Sequence, residues 1–313
     1  MGFDKEINTF LSANKIDNIT YYIYMPNIKP KGIIQILHGM CDYFKRYDSF
    51  ANYFTSQGYI VCGNDHLGHG NSVKSLAGLG YFAEKDGYIC LVEDVYSLTK
   101  IMKEKYKILP YILLGYDMGA FILQQYITKY AENLDGALII GTTGDDSLSK
   151  FVRKTSSRSE RKKGDDFRNE KLYKTMLDAY TKKIPNAKTQ FDWLSRDATV
   201  VDNYINDEKC NFVFTNSAFD DLSELLDQTY GKEWAQKVAT NLPIFLLSGA
   251  EDPFGNYGKG VKKIHKLLVN SCVEDVEMKI FDGCRHDILN ETNKKDIFKE
   301  ILEWIEQRTK GFI

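Results

Sequence analysis

The sequence predicts an α/β fold: a mostly parallel central sheet flanked by helices, with a helical segment inserted between two of its strands. Three observations carry this expectation. Short apolar runs bounded by glycine or polar residues recur along the chain, as in strands buried on both faces. They alternate with segments of helical periodicity. From about residue 143 to about residue 240 the rhythm stops, and no convincing buried strand can be read.

The elements follow in order. ITYYIYM at 19–25 is rich in β-branched and aromatic residues and predicts an early strand. GIIQILH at 32–38 predicts a buried strand that ends in a polar loop. A helix over 46–57 is stopped by Gly58, and YIVCGND at 59–65 is the next strand. A glycine-rich loop leads to an amphipathic helix over 88–106. Strands at 111–116, 136–140, 244–249 and 275–281 are predicted, with helices over 118–131, 259–269 and 293–308. No internal repeat is visible. The resulting division is a core in two parts, 1–142 and 241–313, around a helical cap at 143–240. The basic run that begins SKFVRK in the cap is expected to be a solvated helix face or a mobile loop.

Composition narrows the function. A chain of 313 residues accommodates one large α/β domain with an insertion. The net charge of -2 gives no electrostatic ground for a nucleic-acid partner. No apolar run approaches the roughly 18 residues of a membrane span. MGFDKEINTF lacks the basic start and apolar core of a signal peptide. The six cysteines are scattered without a CxxC pair, which fits free thiols in a reducing cytoplasm. Neither a metal nor an organic cofactor is expected.

Chemistry concentrates at strand ends. In YILLGYDMGAF an apolar strand meets an apolar helix through Gly115-Tyr116-Asp117-Met118-Gly119. This is the glycine spacing of a nucleophile elbow, with aspartate where serine is expected. His38-Gly39-Met40 ends an earlier strand, where backbone amides can form an oxyanion hole. Its donors would be the N–H groups of Met40 and Met118. Asp252 and His286 each follow a later strand, and the order elbow, Asp, His is that of a hydrolytic triad. The loop Asn64–Ser72 carries two histidines, but their spacing is not that of a helical HExxH pair, and a structural turn is the better reading.

These stretches resemble the monoacylglycerol lipase and lysophospholipase group of α/β-hydrolases. The resemblance rests on LHGMCDYFKRYDSFANYF, GYIVCGNDHLGHGNS, LLGYDMGAFILQQYI, FDWLSRD, CNFVFTNSAFDDL, LLSGAEDPFGNYGKGV and GCRHDILNE. It implies hydrolysis of a single-chain acyl ester, of acyl glycerol or lysophospholipid-like type, and contact with a lipid surface through the cap. It places the nucleophile position at Asp117, the triad acid at Asp252 and the base at His286. The cap aromatics Phe191, Trp193, Phe212 and Phe214 are the candidates for an acyl-chain slot.

The family elbow usually reads GHSMG, so both Tyr116 and Asp117 depart from it. Two other readings follow: a lipid-binding pseudo-enzyme, and an Asp-nucleophile hydrolase acting on a saturated carbon. Hydrolases of the latter kind commonly carry tryptophan after the aspartate, where this chain has Met118. A carboxylate oxygen at the elbow could also turn into the oxyanion hole and occupy it.

Overall fold

The computed structural model describes residues 4–144 and 146–312. Eight strands form one sheet: β1 (Asp4–Leu11), β2 (Asn18–Met25), β3 (Gly32–Leu37), β4 (Tyr59–Asn64), β5 (Tyr111–Tyr116), β6 (Gly136–Ile140), β7 (Ile244–Gly249) and β8 (Val276–Phe281). Their order across the sheet is β1-β2-β4-β3-β5-β6-β7-β8. β2 is antiparallel to both of its neighbours, and every pairing from β4 to β8 is parallel. This is the α/β-hydrolase arrangement. The central strands are buried throughout because helices cover both faces.

Ten α-helices lie among the described residues: α1 (Asp48–Ser56), α2 (Gly87–Lys105), α3 (Met118–Tyr126), α4 (Ser147–Lys163), α5 (Glu170–Thr181), α6 (Ala198–Asn206), α7 (Asn216–Asp227), α8 (Lys232–Ala235), α9 (Lys259–Asn270) and α10 (Lys294–Thr309). Side chains alternate along each strand between two cores. Ile34, Ile36, Val61 and Leu114 point to the side closed by α1 and α10, through Phe50, Phe54, Phe298 and Trp304. Ile33, Ile60 and Leu113 point to the side closed by α2, α3 and α9, a core that continues into the helices between β6 and β7.

Two expectations need correction. β1 is an additional strand at the sheet edge, paired antiparallel with β2, and it is mostly exposed. An edge strand with one solvated face and charged residues carries no apolar signature. The elbow helix ends at Tyr126 rather than near 131. There the Thr128 hydroxyl donates back to the Gln125 carbonyl, and a short 3₁₀ turn takes over at Ala131–Asn133.

The five helices α4–α8 lie between β6 and β7. Among the described residues, the one β-bridge outside the named strands joins Arg168 and Thr215 within this segment. The basic run forms α4, which packs along α7, with Arg153 paired to Glu224 and Asp227. No helix among the described residues is long and apolar enough to cross a membrane.

Candidate active site

The residues singled out at strand ends converge beyond the carboxyl ends of β3, β5, β7 and β8, where open α/β sheets bind ligands. Asp117 sits on the turn from β5 into α3 with φ 53° and ψ -118°. This left-handed, strained backbone is held from both sides. The Asp117 N–H donates to the Ile140 carbonyl at 3.0 Å, and its own carbonyl accepts from Ala120 N–H at 2.9 Å. Glycine is required around it: a Cβ on Gly119 would lie 2.1 Å from the Leu37 carbonyl oxygen, and one on Gly115 2.2 Å from that of Gly119. The turn is thereby driven against β3, and its side chain is thrust outward.

The carboxylate at that tip bridges two partners. Oδ2 accepts the Met40 N–H at 2.7 Å. Oδ1 stands 3.5 Å from Nε2 of His286, an ion-pair separation rather than a hydrogen bond, and Nε2 has no hydrogen-bond partner. Nδ1 of His286 lies 3.0 Å from Oδ2 of Asp252, whose Oδ1 accepts the Phe254 N–H at 2.8 Å. Both His286 and Asp252 are buried. Met118 is buried and opens α3, so its amide is one of those a helix leaves unsatisfied in its first turn. Burial alone would lower the His286 pKa. The charge of Asp252 and the contact with Asp117 outweigh it and raise the imidazole to about 10.

A cavity opens over this group. Its wall includes Met40, Asp117 and His286 together with Tyr173, Tyr180, Phe191, Trp193, Tyr204 and Phe254. Phe191 and Trp193 line this cavity. Phe212 and Phe214 do not: both pack against His69, with ring centroids 5.2 and 5.5 Å from it. Aromatic content alone does not reveal which way a side chain in the helices between β6 and β7 turns.

The profile of the family described as "Serine aminopeptidase, S33" matches residues 28–293. The chain belongs to this family. Within it, the chain is an α/β-hydrolase of the monoglyceride lipase type. It is 24% identical over 290 residues to a monoacylglycerol lipase of Mycolicibacterium smegmatis, covering 92% of each chain. It is 27% identical to a monoglyceride lipase homolog of monkeypox virus, covering 96% of this chain and 100% of that one. Among solved structures, a highly thermostable carboxyl esterase from Bacillus coagulans, in complex with glycerol, shares 30% identity and a TM-score of 0.90 over 99% of both chains.

This S33 chain also builds features that sequence reasoning did not single out. Arg46 is nearly buried between two carboxylates, 3.2 Å from Asp42 Oδ1 and 2.9 Å from Asp287 Oδ2. Its guanidinium lies 5.0 Å from the centre of the Tyr204 ring, and Arg46 and Asp42 both face the cavity. The signal available in the sequence was the i,i+4 spacing of Asp42 and Arg46, just after the oxyanion loop. The loop with two histidines is a structural brace. Asp65 accepts from the N–H groups of Phe44 and Asn71 and from the Tyr22 hydroxyl. The His66 N–H donates to Nε2 of His38 at 2.9 Å, which props the loop carrying Met40 from below. Burial keeps these imidazoles neutral, lowering His66 to about 3 and His69 to about 4.

Proposed function

We propose that this chain keeps the acyl-ester site of a carboxylic ester hydrolase, for an acyl glycerol or lysophospholipid-like ester, and that Asp117 suppresses turnover there. In this reading residues 143–240 form a cap over the cavity and make transient contact with a lipid surface. Phe191 and Trp193 flank the acyl chain, and the protein works in the cytoplasm without metal or cofactor.

The observation that carries the suppression is the 2.7 Å hydrogen bond from Met40 N–H to Asp117 Oδ2. In a serine hydrolase that amide would stabilise the oxyanion of a tetrahedral intermediate. Here the protein's own carboxylate occupies it. Chemistry adds a second obstacle. Attack by Asp117 on an ester carbonyl would form a mixed anhydride, and the carboxylate is a better leaving group than the alkoxide that must depart. A third lies in His286. An imidazole charged at neutral pH cannot take a proton from an attacking group.

The 3.5 Å pairing of Asp117 with His286 also favours a second reading, in which Asp117 attacks a saturated carbon and His286 later activates water on the alkyl ester. The raised pKa of His286 counts against it near pH 7 and confines such a cycle to alkaline pH.

The test is Asp117→Ser. Loss of a nucleophilic serine alone costs on the order of 10⁶ in turnover, so the variant should gain esterase activity by orders of magnitude. It should also become labelled by a fluorophosphonate probe that leaves the parent untouched. A folded variant that hydrolyses acyl esters no better than the parent would show that the site is lost beyond residue 117.

A further inference from the structure

The charges around the cavity are arranged in two similar groups. His286 stands between Asp117 and Asp252, and Arg46 between Asp42 and Asp287. Each cation thus has one carboxylate more than it needs. Asp117 and Asp42 share the cavity wall with the two cations, but Asp42 is as buried as Asp252 and Asp287, so Asp117, with 15% of its side chain exposed, is the carboxylate presented to the ligand space. An uncharged His286 would leave that space more negative still.

The rest of the wall is aromatic. The two internal cations already use these rings: Arg46 lies over Tyr204, and Trp193 and Phe254 lie 4.9 and 5.0 Å from His286. Carboxylates combined with aromatic faces hold quaternary and primary ammonium groups through Coulomb attraction and the ring quadrupole. An anionic headgroup in the same space would meet like charge in a poorly solvated cavity.

A second, independent feature also points to a ligand. Trp193 is 8% exposed and lines the cavity, yet its indole Nε1 has no hydrogen-bond partner. The Tyr180 hydroxyl, also in the wall, has none either. The two rings are 4.9 Å apart. An indole N–H can only donate, so pairing it requires an acceptor such as an ester carbonyl, and because Nε1 is itself shut off from solvent the ring must turn to meet one. Buried donors left unpaired cost free energy that a ligand carbonyl would recover.

From this juxtaposition of excess carboxylate, aromatic wall and unpartnered indole donor, we infer that the cavity selects acyl esters of amino alcohols: one acyl chain, an ester carbonyl and a cationic nitrogen. The inference rests on the acyl-ester reading of the cavity and adds the charge of the headgroup to it. Asp117 then acts as a counter-charge in binding, which serine could not supply.

Calorimetry with three probes of equal chain length tests it: lauroylcholine, 1-lauroylglycerol and laurate, each below its micelle concentration. Lauroylcholine should bind the parent about tenfold tighter than lauroylglycerol, with laurate weakest. Asp117→Asn keeps the shape and should reduce that preference to about threefold or less, the ratio of the two ester affinities being the readout. Trp193→Phe should weaken both esters by about threefold and preserve their ratio, which reads the donor separately from the charge. Equal affinity for the two esters, or laurate bound best, overturns the cationic preference and leaves the acyl-ester cavity standing. Binding of none of the three overturns both.

Discussion

Replacing Asp117 by asparagine isolates the charge at the elbow, because the amide keeps an acceptor for the Met40 N–H while removing the carboxylate. In the parent, His286 is raised to about 10 from an ordinary value near 6.5, a difference equivalent to about 5 kcal/mol. The folded value lies above the unfolded one. The stabilisation is therefore fully present below about pH 6.5 and is lost as pH rises through about 10. Asp117 contributes through a 3.5 Å contact, worth about 5 kcal/mol at an effective dielectric near 20 if no water enters. Water in the cavity screens it, but a third of that figure still moves the imidazole by about one pH unit. An imidazole-detected NMR titration should find His286 protonated at pH 7 in the parent, and titrating at least about one pH unit lower in Asp117→Asn. Urea unfolding should show the parent losing more stability than the variant between about pH 6.5 and about pH 10. A neutral His286 at pH 7, or equal titrations in the two proteins, would refute the reasoning.

Two further perturbations address the frame around the site. Gly119→Ala places a methyl group 2.1 Å from the Leu37 carbonyl, so the elbow must move; a loss of about 3 kcal/mol or more is expected in urea unfolding, and an unchanged midpoint would contradict the close approach. Arg46→Met strands Asp42 and Asp287 without their shared cation and should cost about 3–5 kcal/mol, whereas a cost below about 1 kcal/mol would mean that this triad does not hold the oxyanion loop to the last strand's loop.

Much of this molecule was legible in its residues for definite physical reasons. The strands β3 to β7 are buried on both faces, so their runs are almost wholly apolar; Gln35 inside β3 is an exception, and its amide is paired with Val95, Thr99 and Tyr111. The elbow announced itself because a sharp strand-to-helix turn tolerates only glycine at Gly115 and Gly119. Asp252 and His286 were found through chain order, not through any local peculiarity. The misses share another cause. β1 is stabilised by pairing with β2, and its sequence, DKEINTFL, shows no buried face. Between β6 and β7, Phe191 and Phe214 are equally aromatic and both buried, yet one lines the cavity and the other packs against His69. Helix-to-helix packing decides that difference, and no periodicity of two or 3.6 residues encodes it. Tyr173, Tyr180 and Tyr204 escaped as wall residues for the same reason.

The backbone of the elbow carries a consequence of its own. Its φ of 53° is imposed by close packing of Gly115 and Gly119 and by hydrogen bonds to and from the main chain of residue 117, none of which involves the side chain there. The turn works as a fixed mount: any side chain placed on it is delivered between the Met40 amide and the His286 ring. The site can therefore exchange one chemistry for another without rebuilding the protein. A series of residues at position 117 would compare nucleophile, counter-charge and neutral spacer on one unchanged support. The same independence means that the strain at the elbow is maintained by parts of the molecule that do not depend on which side chain residue 117 carries.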